Sequence, residues 1–241
     1  MELGGSRVLV IGGSSGIGFA VARGALANGA RVTIASSNRE KLQAAAARLG
    51  SAAATACLDV TDEAAVQAFF ASSGTFDHIA FTAGDWGKVR RATFADLDLA
   101  AAATLFRVRF WGAAAVAKHG ASCVPPGGSI TLTNGMSAHR PEKGSAVSTG
   151  MAGSVEHLVL GLAVELAPIR VNGVCPGAIR TEVWDQLPEH LREGQLARLS
   201  RQLLPRIGEP EEAAEAYLYL MRGGYTTGQI LHVEGGWALS S

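Results

Sequence analysis

Apolar positions gather in short dense runs separated by longer stretches in which they recur every three or four residues. The runs are Val8-Leu9-Val10-Ile11 and residues 31–35, 53–58, 78–81, 129–133 and 171–175. Near-continuous apolar runs of this length suit strands covered on both faces, as in a parallel sheet. The intervening 3/4 spacing is that of helices with one buried stripe. A first helix is predicted to follow residue 18 and run to about Ala27, with Gly29 as its stop. Others are predicted over 40–49, from near Asp62, over 94–120, and over the stretch that ends near Leu166. A last helix opens at residues 206–212, with Pro210 at its start and Glu211 and Glu212 in its first turn. A closing strand falls within 227–236. Strand and helix in alternation predict an α/β fold: a single-domain, Rossmann-like, doubly wound parallel sheet over residues 1–241, with helices on both faces.

Residues 11–18, Ile-Gly-Gly-Ser-Ser-Gly-Ile-Gly, join the first strand to the first helix. Strand, glycine-rich turn and helix form the layout of a dinucleotide site. Gly12, Gly16 and Gly18 allow a tight turn and close approach to a pyrophosphate. The backbone of Ser14, Ser15 and Ile17 then presents free N–H groups at the helix start to the negative charge. The end of the second strand bears on cofactor choice. An NAD site usually places a carboxylate there for the ribose hydroxyls. This chain has Ser36, Ser37, Asn38 and Arg39, with no acid before Glu40. Hydroxyls and a guanidinium suit a 2′-phosphate, so NADP(H) is expected. The alternative is that Ser37-Asn38 is a turn and Arg39 a solvated charge.

The spacing of Gly12, Gly16 and Gly18 resembles the Thr-Gly-x-x-x-Gly-x-Gly signature of the short-chain dehydrogenase/reductase family, with Ile11 in place of threonine. The resemblance covers nearly the whole chain. Asp59-Val60 matches the pair that packs around the adenine, although Asp59 alone could equally cap the next helix. Thr82-Ala83-Gly84 is similar to Asn-Ala-Gly, where the cofactor ribose rests. Residues 162–172 match Leu-Ala-x-Glu-Leu-Ala…Ile-Arg-Val-Asn, and Pro176-Gly177-Ala178-Ile179-Arg180-Thr181 matches Pro-Gly-x-Ile-x-Thr. In the family, the isoleucine backbone meets the nicotinamide amide and the threonine touches the phosphates. Residues 181–205 fall where the family has a substrate lid, with Trp184, Leu187, Leu191 and Leu196 giving an apolar side. An amphipathic surface helix would look the same. The resemblance also implies a homodimer or homotetramer.

The chain departs from the family at the catalytic centre. In register, the asparagine, serine, tyrosine and lysine positions read Arg109, Gly135, Ser148 and Ala152. The three tyrosines, Tyr217, Tyr219 and Tyr225, all lie near the C-terminus. Arg109 shares an apolar stripe with Leu105, Val108, Gly112 and Val116, so three roles are open to it: a structural ion pair, a snorkelling side chain, or a charge facing a polar cleft, which the alignment favours. Ser137 lies two residues past Gly135 and is a second hydroxyl candidate beside Ser148. Hydride chemistry needs a proton for the oxygen and stabilisation of its developing charge. Arg109 can offer the charge, Ser148 or Ser137 can bind the oxygen, and water can bring the proton. This suggests an atypical NADP(H)-dependent oxidoreductase acting on an electrophilic small molecule such as an aldehyde, activated ketone, iminium or enone. The other readings are a catalytically inactive NADP(H)-binding sensor or partner subunit, or non-redox chemistry on the same fold. Asp85 and Trp86 would shape the substrate site.

Composition narrows the class further. The 241 residues are 48% hydrophobic and 17% charged, as for a folded α/β protein. Balanced charge, with 21 basic and 21 acidic side chains, gives no nucleic-acid footprint. No apolar stretch is read as a membrane span, and the chain enters its first strand too soon for a signal peptide. Cys57, Cys123 and Cys175 form no CxxC pair and are expected to be reduced core thiols of a cytoplasmic protein. No metal site is expected. His78 is read as a surface residue and His139 as a solvated loop histidine.

Overall fold

The computed structural model describes all residues except 1, 51, 86–92, 186–188, 190–193, 195, 198 and 241. Among the described residues, seven strands form one parallel sheet: β1 (Arg7–Ile11), β2 (Arg31–Ser36), β3 (Ala53–Cys57), β4 (His78–Phe81), β5 (Ser129–Thr133), β6 (Arg170–Pro176) and β7 (Ile230–Val233). Their order is β3-β2-β1-β4-β5-β6-β7. The chain therefore winds outward from β1 in one direction and then from β4 in the other, and the reversal opens a crevice at the C-terminal strand ends.

Helices α1 (Gly16–Ala27) and α2 (Arg39–Leu49) follow β1 and β2, and α3 (Glu63–Ser73) follows β3. Gly29 ends the first helix region with φ 79°. Asp62 caps α3, its carboxylate accepting from Ala65 N at 3.1 Å. Asp59 instead accepts from Thr61 N and Oγ1, so the capping role open to it belongs to Asp62.

The 94–120 pattern is not one uniform helix. It comprises a 3-10 turn (Phe94–Asp96), α4 (Leu99–Ala103), a π-helical turn (Arg107–Gly112) and α5 (Ala113–Gly120). Helix α6 (Ala146–Glu165) covers the same face of the sheet. Short α7 (Glu182–Asp185) follows β6, and α8 (Pro210–Arg222) packs beside α1 on the other face. Glu209 and Glu212 form a reciprocal capping box ahead of α8, with Pro210 at its first position.

Two core clusters sandwich the sheet. One joins Val8, Val10, Val21, Ile34, Tyr217 and Leu220. The other joins Leu9, Ile11, Phe81, Val116, Ile130 and Val155. Alternate residues of β1 thus enter opposite cores, which is why its run is apolar throughout.

Three expectations need correction. His78 is buried at 8% exposure, its Nδ1 2.9 Å from Ser129 Oγ, because the strand start is covered by neighbouring strands. Only Cys175 is a core thiol; Cys57 is exposed and Cys123 partly so. The helices over 99–123 and 146–165 are long and apolar enough to cross a membrane by length and composition, with hydropathy 1.3 each. They lie along the sheet, and Leu105, Val116, Val155 and Val159 pack into its core.

Candidate active site

The turn after β1 is shaped by close approach. Gly12 has φ +88°, and a Cβ there would meet Ala83 N at 2.5 Å. A Cβ on Gly18 would meet Gly12 O and Thr82 Oγ1, each at 2.3 Å. The turn is therefore pressed onto Thr82-Ala83, and only glycine fits. Thr82 Oγ1 donates to Ile11 O at 2.9 Å, so the threonine ties β4 to β1 through its hydroxyl. On the other side, a Cβ on Gly16 would lie 2.9 Å from Thr181 Cγ2. Ser14 Oγ bonds Ser36 Oγ at 3.1 Å, joining the turn to the end of β2. Ser15 is the N-cap of α1 and makes no side-chain cap bond, and Ile17 opens the helix beside Gly16. The result is a glycine-floored cradle at a helix N-terminus, fitted to a dinucleotide pyrophosphate.

The end of β2 divides its work. Asn38 Oδ1 accepts from Lys41 N at 2.9 Å and caps α2, so this carboxamide serves the helix. Ser37 and Arg39 are exposed beside that N-terminus. Asp59 is exposed past β3, while buried Val60 packs against Gly112, where a Cβ would meet Val60 Cγ2 at 2.8 Å. Past β6, Gly177 N donates to Val233 O at 2.9 Å, and a Cβ on Gly177 would meet Glu234 Cα at 2.7 Å. Ile179 bridges to Gly208, and Trp184 Nε1 donates to Ile179 O at 2.8 Å. The segment Pro176–Thr181 is thus pinned beside the glycine turn.

Arg109 occupies the π-helical turn. Such turns often mark functional positions in helices. Its guanidinium lies on Gly84 at the end of β4: a Cβ on Gly84 would meet Nη2 at 2.7 Å and Cζ at 2.8 Å. Nε donates to Asp85 O at 3.3 Å. The side chain is partly exposed, but desolvation of its charged end lowers its pKa, while Asp85 and Tyr217 act in the opposite direction. The contact with Gly84 and Asp85 puts the charged end of Arg109 at the C-terminal end of β4, beside Thr82-Ala83-Gly84.

Ser137 and Ser148 come together, with Ser137 Oγ donating to Ser148 O at 3.3 Å. Ser148 Oγ donates to Ser145 O at 2.8 Å. Gly135 has open space where a side chain would stand, and Ala152 is buried on α6. Tyr217 is fully buried, its hydroxyl 2.6 Å from Thr133 Oγ1, and burial pushes its pKa up. It is a core residue and no replacement for the family's acid. A cavity of about 240 Å³ is bordered by Phe94, Leu97, Leu105, Lys143 and Ser148. A second, of about 410 Å³, runs between Gly16, Arg23, Arg180, Thr181, Trp184 and Leu196. Trp86, Leu187 and Leu191 lie outside the described residues.

One constellation of side chains is assembled from positions that are far apart in the sequence. His139, Glu156, Cys175 and His232 converge, with their donor atoms all within 4.8 Å of one another. His139 Nε2 and Glu156 Oε1 are 2.6 Å apart, so this loop histidine has a carboxylate partner. The available signal was Glu156, the one acid in α6 before its last residue.

The family profile described as Enoyl-(Acyl carrier protein) reductase matches residues 12–238. Short-chain dehydrogenase/reductase ATR9 of Stachybotrys chlorohalonatus is 34% identical over 259 residues, covering 96% of each chain. The solved MalC reductase/Diels-Alderase of Malbranchea aurantiaca is 35% identical with TM-score 0.88, covering 98% of this chain and 96% of its own. A small-chain dehydrogenase solved in complex with NADPH is 33% identical with TM-score 0.84, covering 98% of this chain and 100% of its own. With the parallel sheet and the glycine cradle, these likenesses establish that the chain belongs to the short-chain dehydrogenase/reductase family of oxidoreductases.

Proposed function

We propose that the chain is an NADP(H)-dependent oxidoreductase whose non-standard active site uses Arg109 in place of the Ser-Tyr-Lys relay. It reduces a carbonyl or related C=X group, or oxidises the corresponding alcohol. The carrying observation is the desolvated Arg109 guanidinium laid against Gly84 at the end of β4.

In this reading Gly12, Ser14, Ser15, Gly16, Ile17 and Gly18 hold the pyrophosphate. Asp59 and Val60 flank the adenine, and Thr82, Ala83 and Gly84 support the ribose. Pro176, Gly177, Ile179 and Thr181 frame the nicotinamide end. Ser37 and Arg39, beside the N-terminus of α2, take the 2′-phosphate, with Asn38 holding the turn. The NADPH bound by one solved relative supports this choice. The dinucleotide, when bound, supplies or accepts the hydride.

Arg109 offers fixed positive charge to an oxygen that gains negative charge. It does not pass a proton, since a guanidinium holds its own far above neutral pH. Ser148 and Ser137 turn from their carbonyl partners to bind that oxygen, and water brings the proton. With no strong acid, the chemistry suits a substrate already electrophilic: an aldehyde, activated ketone, iminium or enone. Residues 181–205 serve as its lid. The exposed apolar Trp111, Leu160 and Val164 on the outer helices form the contact surface of a homodimer or homotetramer. The protein works on a small molecule in the cytoplasm, apart from membrane and nucleic acid.

The test is turnover of Arg109→Ala against such substrates. A loss of about 10²–10³-fold in kcat/KM with NADPH affinity unchanged is expected. Unchanged turnover would overturn the role of Arg109. A second reading follows from the serine hydroxyls, both engaged with backbone carbonyls. It is a catalytically inactive NADP(H)-binding sensor or partner subunit, or a protein shaping non-redox chemistry; MalC, described as both reductase and Diels-Alderase, is a relative where the latter occurs. Wild-type protein that binds NADPH tightly yet reduces nothing would favour it.

A further inference from the structure

We infer that His139, Glu156, Cys175 and His232 form a binding site for a zinc-class divalent cation that braces the C-terminal edge of the sheet.

The topology assembles the four from distant parts of the chain. Cys175 and His232 are register partners on the parallel pair β6–β7, so their side chains leave the sheet on the same face. Glu156 projects from α6, which crosses that face, and His139 from the turn after β5. The four donor atoms lie within 4.8 Å of one another. A tetrahedral zinc ion, with bonds of about 2.0–2.3 Å, holds its donors roughly 3.3–3.8 Å apart. The rearrangement needed is small: His139 would draw back from its 2.6 Å contact with Glu156 while the wider pairs close, and both imidazoles are exposed. Their rings already lie 4.4 Å apart, centroid to centroid.

The donor set selects the cation. Two imidazoles, a thiolate and a carboxylate suit zinc among common divalent ions, whereas magnesium and calcium take oxygen ligands. The surroundings also resemble a ligand shell. Asn134, 3% exposed, donates its amide to Glu156 and so fixes that carboxylate. Its buried carbonyl oxygen has no hydrogen-bond partner among the described residues. Outer groups that orient ligands in this way are a regular part of metal centres. Met136 sulfur lies 3.5 Å from Cys175 Sγ and closes the inner side.

The site joins β6, β7, α6 and the turn after β5, immediately before Pro176. It is independent of the cofactor and Arg109 readings. Its role is structural, so its signature is stability and spectroscopy rather than turnover.

The experiment uses the full chain, stripped with a chelator and titrated with Zn²⁺ and, separately, Co²⁺. Stoichiometric metal, a rise in Tm on addition of Zn²⁺, and a thiolate-to-cobalt charge-transfer band are expected. Cys175→Ser should abolish that band, and the double variant H139Q/H232Q should weaken binding by about tenfold or more and remove the Tm rise. His157→Gln, on α6 but outside the cluster, should change neither. The double variant alters only exposed side chains, so it remains decisive if Cys175→Ser does not fold. Absence of stoichiometric metal, a cobalt spectrum without thiolate character, or unchanged affinity in H139Q/H232Q would overturn the proposal and leave a hydrogen-bonded cluster.

Discussion

A guanidinium on an apolar helix face is costly unless something holds it. Arg109 rests on Gly84, the one side chain size that leaves the strand end open to it, and reaches the carbonyl of Asp85. The helical stripe made the residue visible in the sequence, but it could not choose between ion pair, snorkel and cleft. What the side chain meets depends on the end of β4, some 25 residues upstream. His78 illustrates the reverse error. At the edge of a short run it looks solvated, yet the strands on either side bury it. Burial, with the charge of Arg170, lowers its pKa from 6.5 to about 4. The folded state therefore prefers the neutral ring, and the unfolded chain binds the extra proton first. Stability from this residue is complete above pH 6.5 and declines as pH falls toward 4, by about 3 kcal/mol in all. His78→Asn, which keeps a partner for Ser129, should flatten that part of the profile in denaturation measured across the same window. An unchanged slope would mean that His78 is not buried in its neutral form.

At the scale of elements, the matched Ile-Arg-Val-Asn stretch acquires a physical cause. Arg170 opens β6 but turns back to the C-terminus of α8, donating to Leu220 O at 2.6 Å and Met221 O at 3.0 Å. A cation there satisfies the orphan carbonyls and complements the helix dipole. Asn172 completes the joint, donating to Thr226 O at 2.9 Å and accepting from Gln229 N at 3.0 Å. Arg170→Leu should leave those buried carbonyls unpaired and cost about 3 kcal/mol, read as a lower urea midpoint with unchanged slope. A midpoint within error of wild type would contradict this capping role. The 94–120 pattern was legible as a helix because Leu105, Gly112 and Val116 keep the 3/4 repeat. Its π turn was not, since one wider turn alters the ladder while leaving the apolar positions on the same side. The sequence places Asn38 among the groups for the phosphate, and its capping bond to Lys41 matches the turn alternative at that position.

Across the whole molecule, the sheet was legible because parallel strands covered on both faces announce themselves as apolar runs, and each helix between them carries its own stripe. The order of the strands, with the step from β3 back across to β4, comes from their pairing and is not contained in any one run. Less legible was anything that long-range pairing creates. Cys175 and His232 become neighbours only through the register of β6 with β7, and Glu156 joins them only because α6 crosses that pair. Local sequence contains none of this. The cofactor half lies between these extremes. Its glycines are local, but their reason is the backbone of Thr82-Ala83, 70 residues away, which leaves Gly12 and Gly18 no room for a side chain.

That cradle, with the exposed Ser37 and Arg39 at its far end, makes a sharp claim about the ligand. Fluorescence titration of the purified chain with NADPH and, separately, with NADH measures it directly. The account requires tight NADPH binding, much weaker NADH binding, and loss of that preference in Arg39→Ala. Equal affinities in the wild type would contradict the phosphate reading, and binding of neither would contradict the dinucleotide site itself.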